Sequence, residues 1–503
     1  MFEEYPEKVV SEVPENVFKL IVIEKDLKIK IFPLNKAKLS IGRASGTNEC
    51  EIQFESPIVS RKHGCFIYNN GSYYYADYPN LNGTYYNGKK IAKYDDSVSE
   101  PIKLSDGDVL RIDSADLDAP DCEGIVMIFS VGDSNREVWC AFQLAKDMKE
   151  VIIGRKVPSG NIEIPKPMVS RFHAKIVNTE QGHVLIDLKS ESGTLLNGNS
   201  VQRPVLLRQK DIINICSSKI IYMNDMLIYS VPKDRIQSGL ELVVEHISKD
   251  VFIRKGEKRR ILNDISLTIA PGELVAIIGA SGAGKTTFMN AISGFERATS
   301  GNVYINGSDL YENYDIHKTQ IGYVPQNDIV HNNLTIENML EYTARLRLPR
   351  DISREEIDYQ INSVIDIMGL NEHREKLIRK LSGGQKKRAI IAAELISDPA
   401  ILFMDEPTSG LDPESDMNLI KYLKKLASTE GKTIILITHT LQNIHAFDKI
   451  IFLGYGGYLT FFGTLNESLE FFEVDNLVDV YEKISKEPQV YVRKYAQRCL
   501  PSI

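Results

Sequence analysis

The residues best suited to chemistry in this chain lie between Gly279 and His439. Gly279, Ala280, Ser281, Gly282, Ala283, Gly284, Lys285 and Thr286 spell GxxxxGK[ST]. They follow the apolar run LVAIIG and precede a helical run that opens at Thr287. In that strand–loop–helix setting the glycines let backbone N–H groups curl around phosphate oxygens at a helix N-terminus, whose dipole also favours anions. Lys285 is expected to reach the β- and γ-phosphates of a nucleotide, and Thr286 to ligate Mg²⁺ through its hydroxyl. Downstream, the run ILFMDE ends on Asp405 and Glu406. Apolar residues up to a strand's C-terminal edge, then carboxylates, mark where α/β proteins place ligands. Asp405 is expected in the Mg²⁺ shell. Glu406 is expected to polarise an attacking water as general base, an effect of about 10²–10⁴-fold.

Such residues need a sheet to hold them. From Leu240 onward, the strand-like runs LVAIIG, ILFMDEP and TIILITH alternate with helical segments over 351–368 and 414–428. That alternation predicts a mostly parallel sheet covered by helices. The chain before it reads differently. Short alternating runs (FKLIVIE, KIKIFPL, GCFIYNN, SYYYADY, VLRIDS) are separated by Asn69-Asn70-Gly71, Asn87-Gly88 and Asp106-Gly107, which predicts a β-sandwich. The pattern then recurs. Gly42-Arg43 returns as Gly154-Arg155, Ser60-Arg61-Lys62-His63 as Ser170-Arg171-Phe172-His173, Gly83-Thr84 as Gly193-Thr194, and Asn87-Gly88 as Asn197-Gly198. The spacing from His63 to Gly83 equals that from His173 to Gly193, so two copies of one domain stand in tandem. The expected boundaries are a tail over 1–16, sandwiches over 17–131 and 136–231, a polar joint over 232–239, the α/β domain over 240–470 and a C-terminal segment over 471–503.

Composition narrows the partners. The chain has 503 residues, too many for one core, and a net charge of −8. That charge argues against nucleic acid, whose binders usually carry a basic domain or stripe. The one short basic run, Arg254 to Arg260, reads as a solvated hairpin turn. Six cysteines (Cys50, Cys65, Cys122, Cys140, Cys216, Cys499) are scattered without a CxxC pair, as free thiols in a reducing cytosol would be. The N-terminus is acidic and polar, unlike a secretory signal. A bilayer span needs about 20 consecutive apolar residues. The runs over 273–280 and 433–438 are short, and the run over 450–462 is cut by glycines, so no span is expected.

Between the phosphate loop and the acidic strand end lie Leu381, Ser382, Gly383, Gly384 and Gln385, followed by KKRAIIAAEL. This quintet, in this position, resembles the signature of ABC ATPases. Further family marks stand in order: Gln326 in YVPQND, the D-loop Ser409-Gly410-Leu411-Asp412, and His439 in ITHT. The resemblance implies that Gln326 senses Mg²⁺ and couples to a membrane partner, while His439 contacts the γ-phosphate. It also implies that Ser382, Gly383 and Gly384, with Gln385 and Asp412 beside them, complete the site of a second subunit. ATP would then join two nucleotide-binding domains, as a homo- or heterodimer, and hydrolysis would release them. Phe252 is the candidate to stack on adenine, where the family favours Tyr. The segments LTIENMLEYTARLRLP and FFGTLNESLEFFE resemble the G subfamily of half-transporters. Those place six membrane helices after the ATPase. The implied partner is therefore a membrane permease, fused or separate, and the implied location is the cytoplasmic face of the cell membrane.

The tandem β-domains resemble forkhead-associated (FHA) domains, which bind phosphothreonine peptides from loops at one end of a sandwich. A phosphothreonine brings about −1.5 to −2 charge and three strong acceptors. By that resemblance Arg43 and Ser60 grip the phosphate, Arg61 adds a second cation and Asn82 bonds the peptide backbone. Hydrogen bonds to charged groups contribute roughly 1.5–3 kcal/mol each, so an Arg with a Ser supplies useful affinity. His63 is expected to shape the loop rather than touch ligand. The second copy keeps Arg155, Ser170, Arg171, His173 and Thr194, but Ser192 stands where Asn82 would recur, with Glu191 beside it. A nearby carboxylate and a missing amide are expected to weaken phosphopeptide binding there.

The expected fold is thus two all-β FHA-type sandwiches followed by an α/β P-loop NTPase domain of ABC type. The expected function is ATP hydrolysis that powers a permease under phosphoprotein control. An alternative is a soluble, phosphoprotein-regulated ABC ATPase that acts as a signalling or assembly switch. ABC ATPases of translation or DNA repair carry two cores or a coiled-coil insertion, and neither is present in the sequence. An adaptor with an inactive cassette would lack Glu406 or His439, and both are present.

Overall fold

The computed structural model describes residues 18–23, 29–44, 50–69, 72–80, 82–86, 89–91, 98–104, 108–112, 124–131, 137–145, 147–209, 211–223, 225–232, 240–252, 258–327 and 329–499. The tail over 1–16, nearly all of the polar joint, most of the basic turn and the turns at Asn70-Gly71, Asn87-Gly88 and Asp106-Gly107 lie outside them. Two compact units divide the chain: Met1–Trp139 with Ala496–Ile503, and Cys140–Tyr495.

The first unit holds a sandwich of a six-stranded and a five-stranded sheet among the described residues. Its core joins Leu20, Ile41, Phe54, Phe66, Tyr73, Tyr75, Leu110 and Phe129, all fully or almost fully buried. Phe18 meets Tyr73 edge-on with ring centroids 5.2 Å apart, a geometry worth about 0.5–1.5 kcal/mol beyond area burial.

The second unit begins with a matching sandwich, also of six and five strands among the described residues. The two copies differ at one place in the larger sheet. Beside the last strand of the first copy, Ile125–Val131, runs the N-terminal strand Phe18–Ile23. Beside the equivalent strand of the second copy, Ser218–Met223, runs the C-terminal strand Met226–Pro232. Both pairings are antiparallel, so the same slot is filled from opposite ends of the repeat. A close approach marks both copies equally. A Cβ at Gly42 would stand 2.0 Å from Arg61 O, and one at Gly154 would stand 2.0 Å from Arg171 O. Only glycine fits, which explains why Gly-Arg recurs as a pair.

The rest of the second unit is built on a ten-stranded sheet among the described residues. Its heart is parallel, in the order Ile321–Val324, Ile401–Asp405, Thr433–Ile437, Leu274–Gly279, Lys449–Gly454. The near-continuous apolar runs follow from burial on both faces. Leu274, Ala276 and Ile278 point into one core while Val275 and Ile277 point into the other. Leu402 with Met404, against Ile401 with Phe403, repeats that split. The period of two therefore makes one strand serve two cores.

On one face lies a helical layer. Ile336–Arg347 starts at Thr335, Arg354–Ile367 at Ser353 and Gly383–Leu395 at Ser382, each N-cap side chain accepting a backbone N–H. Such caps contribute about 1 kcal/mol each. Ile357, Ile361, Val364 and Ile365 present the apolar stripe that fixes the second of these helices to the core. The boundary expected at 470 falls later. Phe471, Phe472, Leu477, Val480 and Ile484 are buried in the same core, because Leu477–Lys486 is an amphipathic helix laid against it. Among the described residues no helix is long and apolar enough to cross a membrane.

Candidate active site and phosphopeptide pockets

The phosphate loop connects the strand Leu274–Gly279 to the helix Lys285–Ile292. Gly284 caps that helix at φ 86°, and a Cβ there would crowd Ile261 and Leu262 at 3.1–3.3 Å, so the position demands glycine twice over. Lys285 is buried, and its Nζ donates to Gly279 O at 2.9 Å and Ala280 O at 3.0 Å. Burial lowers the Lys285 pKa, and the charges of Glu406 and Asp405 oppose that shift. The ammonium is thus poised among carbonyls, ready to exchange them for stronger anionic acceptors.

Two acids close the site from the next strand but one. Thr286 Oγ1 donates to Asp405 Oδ2 at 3.1 Å. Asp405 Oδ1 is buried and has no hydrogen-bond partner among the described residues. Burial raises the Asp405 pKa, with the Thr286 hydrogen bond pulling the other way. An orphaned, buried carboxylate oxygen beside a threonine hydroxyl fits a hard divalent cation, which takes oxygen ligands and would satisfy it. Glu406 follows with φ 47°, a left-handed backbone uncommon outside glycine. That turn lays its carboxylate between two partners. Gln326 Nε2 donates to Oε2 at 2.9 Å, and His439 Nε2 lies 2.7 Å from Oε1, a contact that holds when Nε2 carries the proton.

The remaining residues of the expected site stand on helix ends and strand ends. Ser382 and Gln385 form a reciprocal capping box at the exposed N-terminus of Gly383–Leu395, a helix with no acid in its first turn. Asp412 caps Pro413–Thr429, accepting from Ser415 N at 3.0 Å and Ser415 Oγ at 2.7 Å. Phe252 ends the strand Leu242–Phe252 with 76% of its surface exposed and the Lys258 ammonium 5.3 Å from its ring centroid.

In the first sandwich the Arg43 backbone N–H donates to Ser60 O at 2.9 Å, and its Nη1 donates to Pro57 O at 3.1 Å. Arg61 is exposed beside it. His63 is fully buried, as its expected loop-shaping role requires: Nδ1 accepts from Ser60 N at 3.2 Å and Nε2 meets Thr84 Oγ1 at 3.3 Å. The second sandwich repeats the backbone placements, but His173 Nε2 meets Gly193 O at 3.0 Å rather than Thr194, and Arg155 Nη1 bonds Val169 O at 2.6 Å. Arg155 N donates to Ser170 O at 3.0 Å, and His173 Nδ1 accepts from Ser170 N at 3.3 Å. Asn82 Nδ2 donates to Ile58 O at 2.7 Å, while Ser192 Oγ donates to Met168 O at 3.1 Å. The shorter side chain thus keeps the loop-pinning bond at the equivalent residue. Two expected contacts change. Thr194 is 1% exposed with its hydroxyl given to Asp187 Oδ2 at 2.7 Å, which removes it from any ligand surface. Ser170 Oγ accepts from Glu191 N at 3.1 Å.

Residues 262–409 match the family model described as ABC transporter, and residues 39–113 and 151–216 each match the FHA domain. This chain carries two FHA domains and an ABC-type ATPase cassette. It is 33% identical over 353 residues to the ABC transporter ATP-binding/permease protein Rv1747 of Mycobacterium tuberculosis, covering 70% of this chain and 40% of that protein. It is 38% identical over 255 residues to ABC transporter G family member 22 of Arabidopsis thaliana, covering 48% and 33%. It is 32% identical over 305 residues to the broad substrate specificity ATP-binding cassette transporter ABCG2 of Rattus norvegicus, covering 59% and 42%. The chain therefore spans less than half the length of these relatives.

Sequence reasoning missed two acids of the cassette, Asp351 and Glu356, which meet Arg155 of the second FHA domain. The only signal for either was the capping box, Ser353 followed by Glu356, which marks a helix start and nothing about a distant arginine. The buried aspartates of the FHA networks were missed as well. Asp77 Oδ1 accepts from Tyr75 Oη at 2.8 Å and from Thr84 Oγ1 at 2.5 Å.

Proposed function

We propose that this chain is the ATP-hydrolysing component of an ABC transporter, recruited or regulated by phosphothreonine proteins through its FHA domains. The observation that carries the hydrolytic part is the convergence of Gln326 and His439 on Glu406, beside the Thr286–Asp405 pair. Glu406 would take a proton from the attacking water, with Gln326 and His439 holding its carboxylate in place. The phosphate loop amides and Lys285 would bind the phosphates. Thr286, Asp405 and Gln326 would hold Mg²⁺, which when bound screens the charge of the phosphate oxygens. Phe252 would stack on adenine. Ser382, Gly383, Gly384, Gln385 and Asp412 would serve the site of a second cassette, and the exposed, acid-free N-terminus of the signature helix suits that role. The relatives' printed names, an ATP-binding/permease protein and a transporter, support a membrane permease partner, with which the chain would stand at the cytoplasmic face of the membrane.

Two variants test the site. Glu406→Gln is expected to keep ATP binding and to lower steady-state hydrolysis by about 10²-fold or more. Lys285→Ala is expected to lose ATP binding in an equilibrium titration. Parent-like turnover in the first variant, or tight ATP binding by the second, would remove those residues from their roles.

A further inference from the structure

The loops of the second FHA domain that carry Arg155, Ser170 and Arg171 rest on the cassette, within one compact unit. Their partner is the connection from the helix Ile336–Arg347 into the first turn of Arg354–Ile367. The Arg155 guanidinium is nearly buried, and all three of its nitrogens donate. Nη1 bonds Val169 O at 2.6 Å, Nη2 bonds Asp351 Oδ1 at 3.1 Å, and Nε bonds Glu356 Oε1 at 2.9 Å. The other carboxylate oxygen, Asp351 Oδ2, accepts from the Arg171 backbone N–H at 2.6 Å. Asp351 O accepts from Arg171 Nη2 at 3.0 Å. The Glu356 pKa is lowered: burial pushes it up, and hydrogen bonds from the Ser353 backbone and the Arg155 side chain outweigh that.

Further contacts close the same face. Asn313 Nδ2 donates to Gly198 O at 3.0 Å. A Cβ at Gly193 would stand 3.1 Å from Ile316 Cγ1, and Met168 packs against the core of the helical layer. A desolvated guanidinium without an anion is strongly unfavourable, so a buried Arg155 requires carboxylates of this kind. A fork of guanidinium and backbone amide around two anionic oxygens is also the donor set that suits a phosphate.

We propose that the phosphate seat of the second FHA domain is a socket for the cassette's own Asp351 and Glu356, which stand in for a phosphothreonine and clamp the domain to the helical layer. The proposal rests on the reading of Arg155 and Arg171 as a phosphate seat and deepens it by naming the ligand. A tethered ligand acts at an effective concentration on the order of millimolar, so a free phosphopeptide competes at a disadvantage.

The test uses the whole chain and reads amide hydrogen exchange across residues 168–172. Asp351→Asn combined with Glu356→Gln is expected to speed exchange there about tenfold or more. Arg155→Gln alone is expected to have the same effect, and the triple variant to add nothing further. Unchanged exchange in the carboxamide variant overturns the proposal. A second arm uses an Arg43→Ala background to silence the first domain and titrates a fluorescent, sequence-randomised phosphothreonine peptide pool against its unphosphorylated twin. The carboxamide variant is expected to bind the phosphorylated pool about tenfold more tightly than the chain that keeps both acids. Equal, measurable affinity in the two chains overturns the proposal. Faster exchange with no uptake of the pool by either chain supports the clamp and removes the phosphopeptide reading of this domain, so the two failures stay distinct.

Discussion

At the scale of single residues, the site is held in a state that is unfavourable for the chain alone. Glu406 keeps a left-handed backbone whose strain costs on the order of 1 kcal/mol, and in return both its oxygens face donors. Asp405 keeps a buried oxygen without a partner, where an unsatisfied buried acceptor costs about 1–3 kcal/mol. Its raised pKa says the same in another way: burial disfavours the ionised form. A neutral, isosteric group removes the part of that cost that comes from burying a charge. Asp405→Asn is therefore expected to melt about 2–4 °C higher than the parent without nucleotide, and to lose the extra stabilisation that Mg²⁺ with ATP gives the parent. A thermal melt of both proteins, with and without Mg²⁺ and ATP, checks it. A variant that melts lower without ligand would mean that the carboxylate stabilises the fold. The order of motifs along the chain is what singles these residues out. The left-handed turn at Glu406 was not readable, because nothing local marks a strained non-glycine residue.

At the scale of elements, legibility followed period and punctuation. The parallel strands were readable because burial on both faces makes them continuously apolar, and the tandem sandwiches because their Gly-Arg, Ser-Arg and Gly-Thr landmarks repeat. Two things were not. The slot filled by Phe18–Ile23 in one copy and Met226–Pro232 in the other depends on long-range pairing that no spacing encodes. The helix Leu477–Lys486 was set outside the domain, although its buried stripe belongs to the main core. A shorter element shows what burial does to titration. His317 ends the four-residue helix Tyr314–His317, with Nε2 3.0 Å from Ser308 Oγ and Nδ1 buried without a partner among the described residues. Burial pushes its pKa down to about 4 from 6.5, against the pull of Asp309. Because the folded value lies below the unfolded one, its contribution is full above pH 6.5 and is lost as pH falls toward 4. The slope is at most about 1.4 kcal/mol per pH unit. His317→Gln keeps a bond to Ser308 within reach and cannot protonate. It is expected to lose less melting temperature than the parent between pH 7 and pH 4.5. Parallel loss in the two proteins would mean that other groups carry the acid sensitivity of this unit.

At the scale of the whole molecule, the second of two recognition domains already meets a partner within its own unit. In both, the Gly-Arg turn, the serine and the buried histidine hold the loops, and the sequences part where Asn82 is replaced by Ser192. Arg155 is desolvated and answered by two carboxylates of the same chain. In the first domain Arg43 donates to Pro57 O and Asn82 to Ile58 O. If the second seat is filled by the chain's own acids, capture of a phosphoprotein from solution falls to the first domain, while the second acts as a fixed joint to the ATPase. The expected outcome is sharp at the level of the intact chain. Arg43→Ala abolishes capture of a phosphothreonine peptide pool, and Arg155→Gln leaves the affinity within about threefold of the parent. Capture that survives Arg43→Ala and disappears with Arg155→Gln would reverse the assignment, placing the open reader next to the cassette. The division proposed here gives the repeat a reason to diverge at Ser192. A domain whose ligand is tethered needs the bond from Ser192 to Met168 that shapes its loop, and it has no need of a side-chain amide that reads the backbone of a peptide arriving from solution.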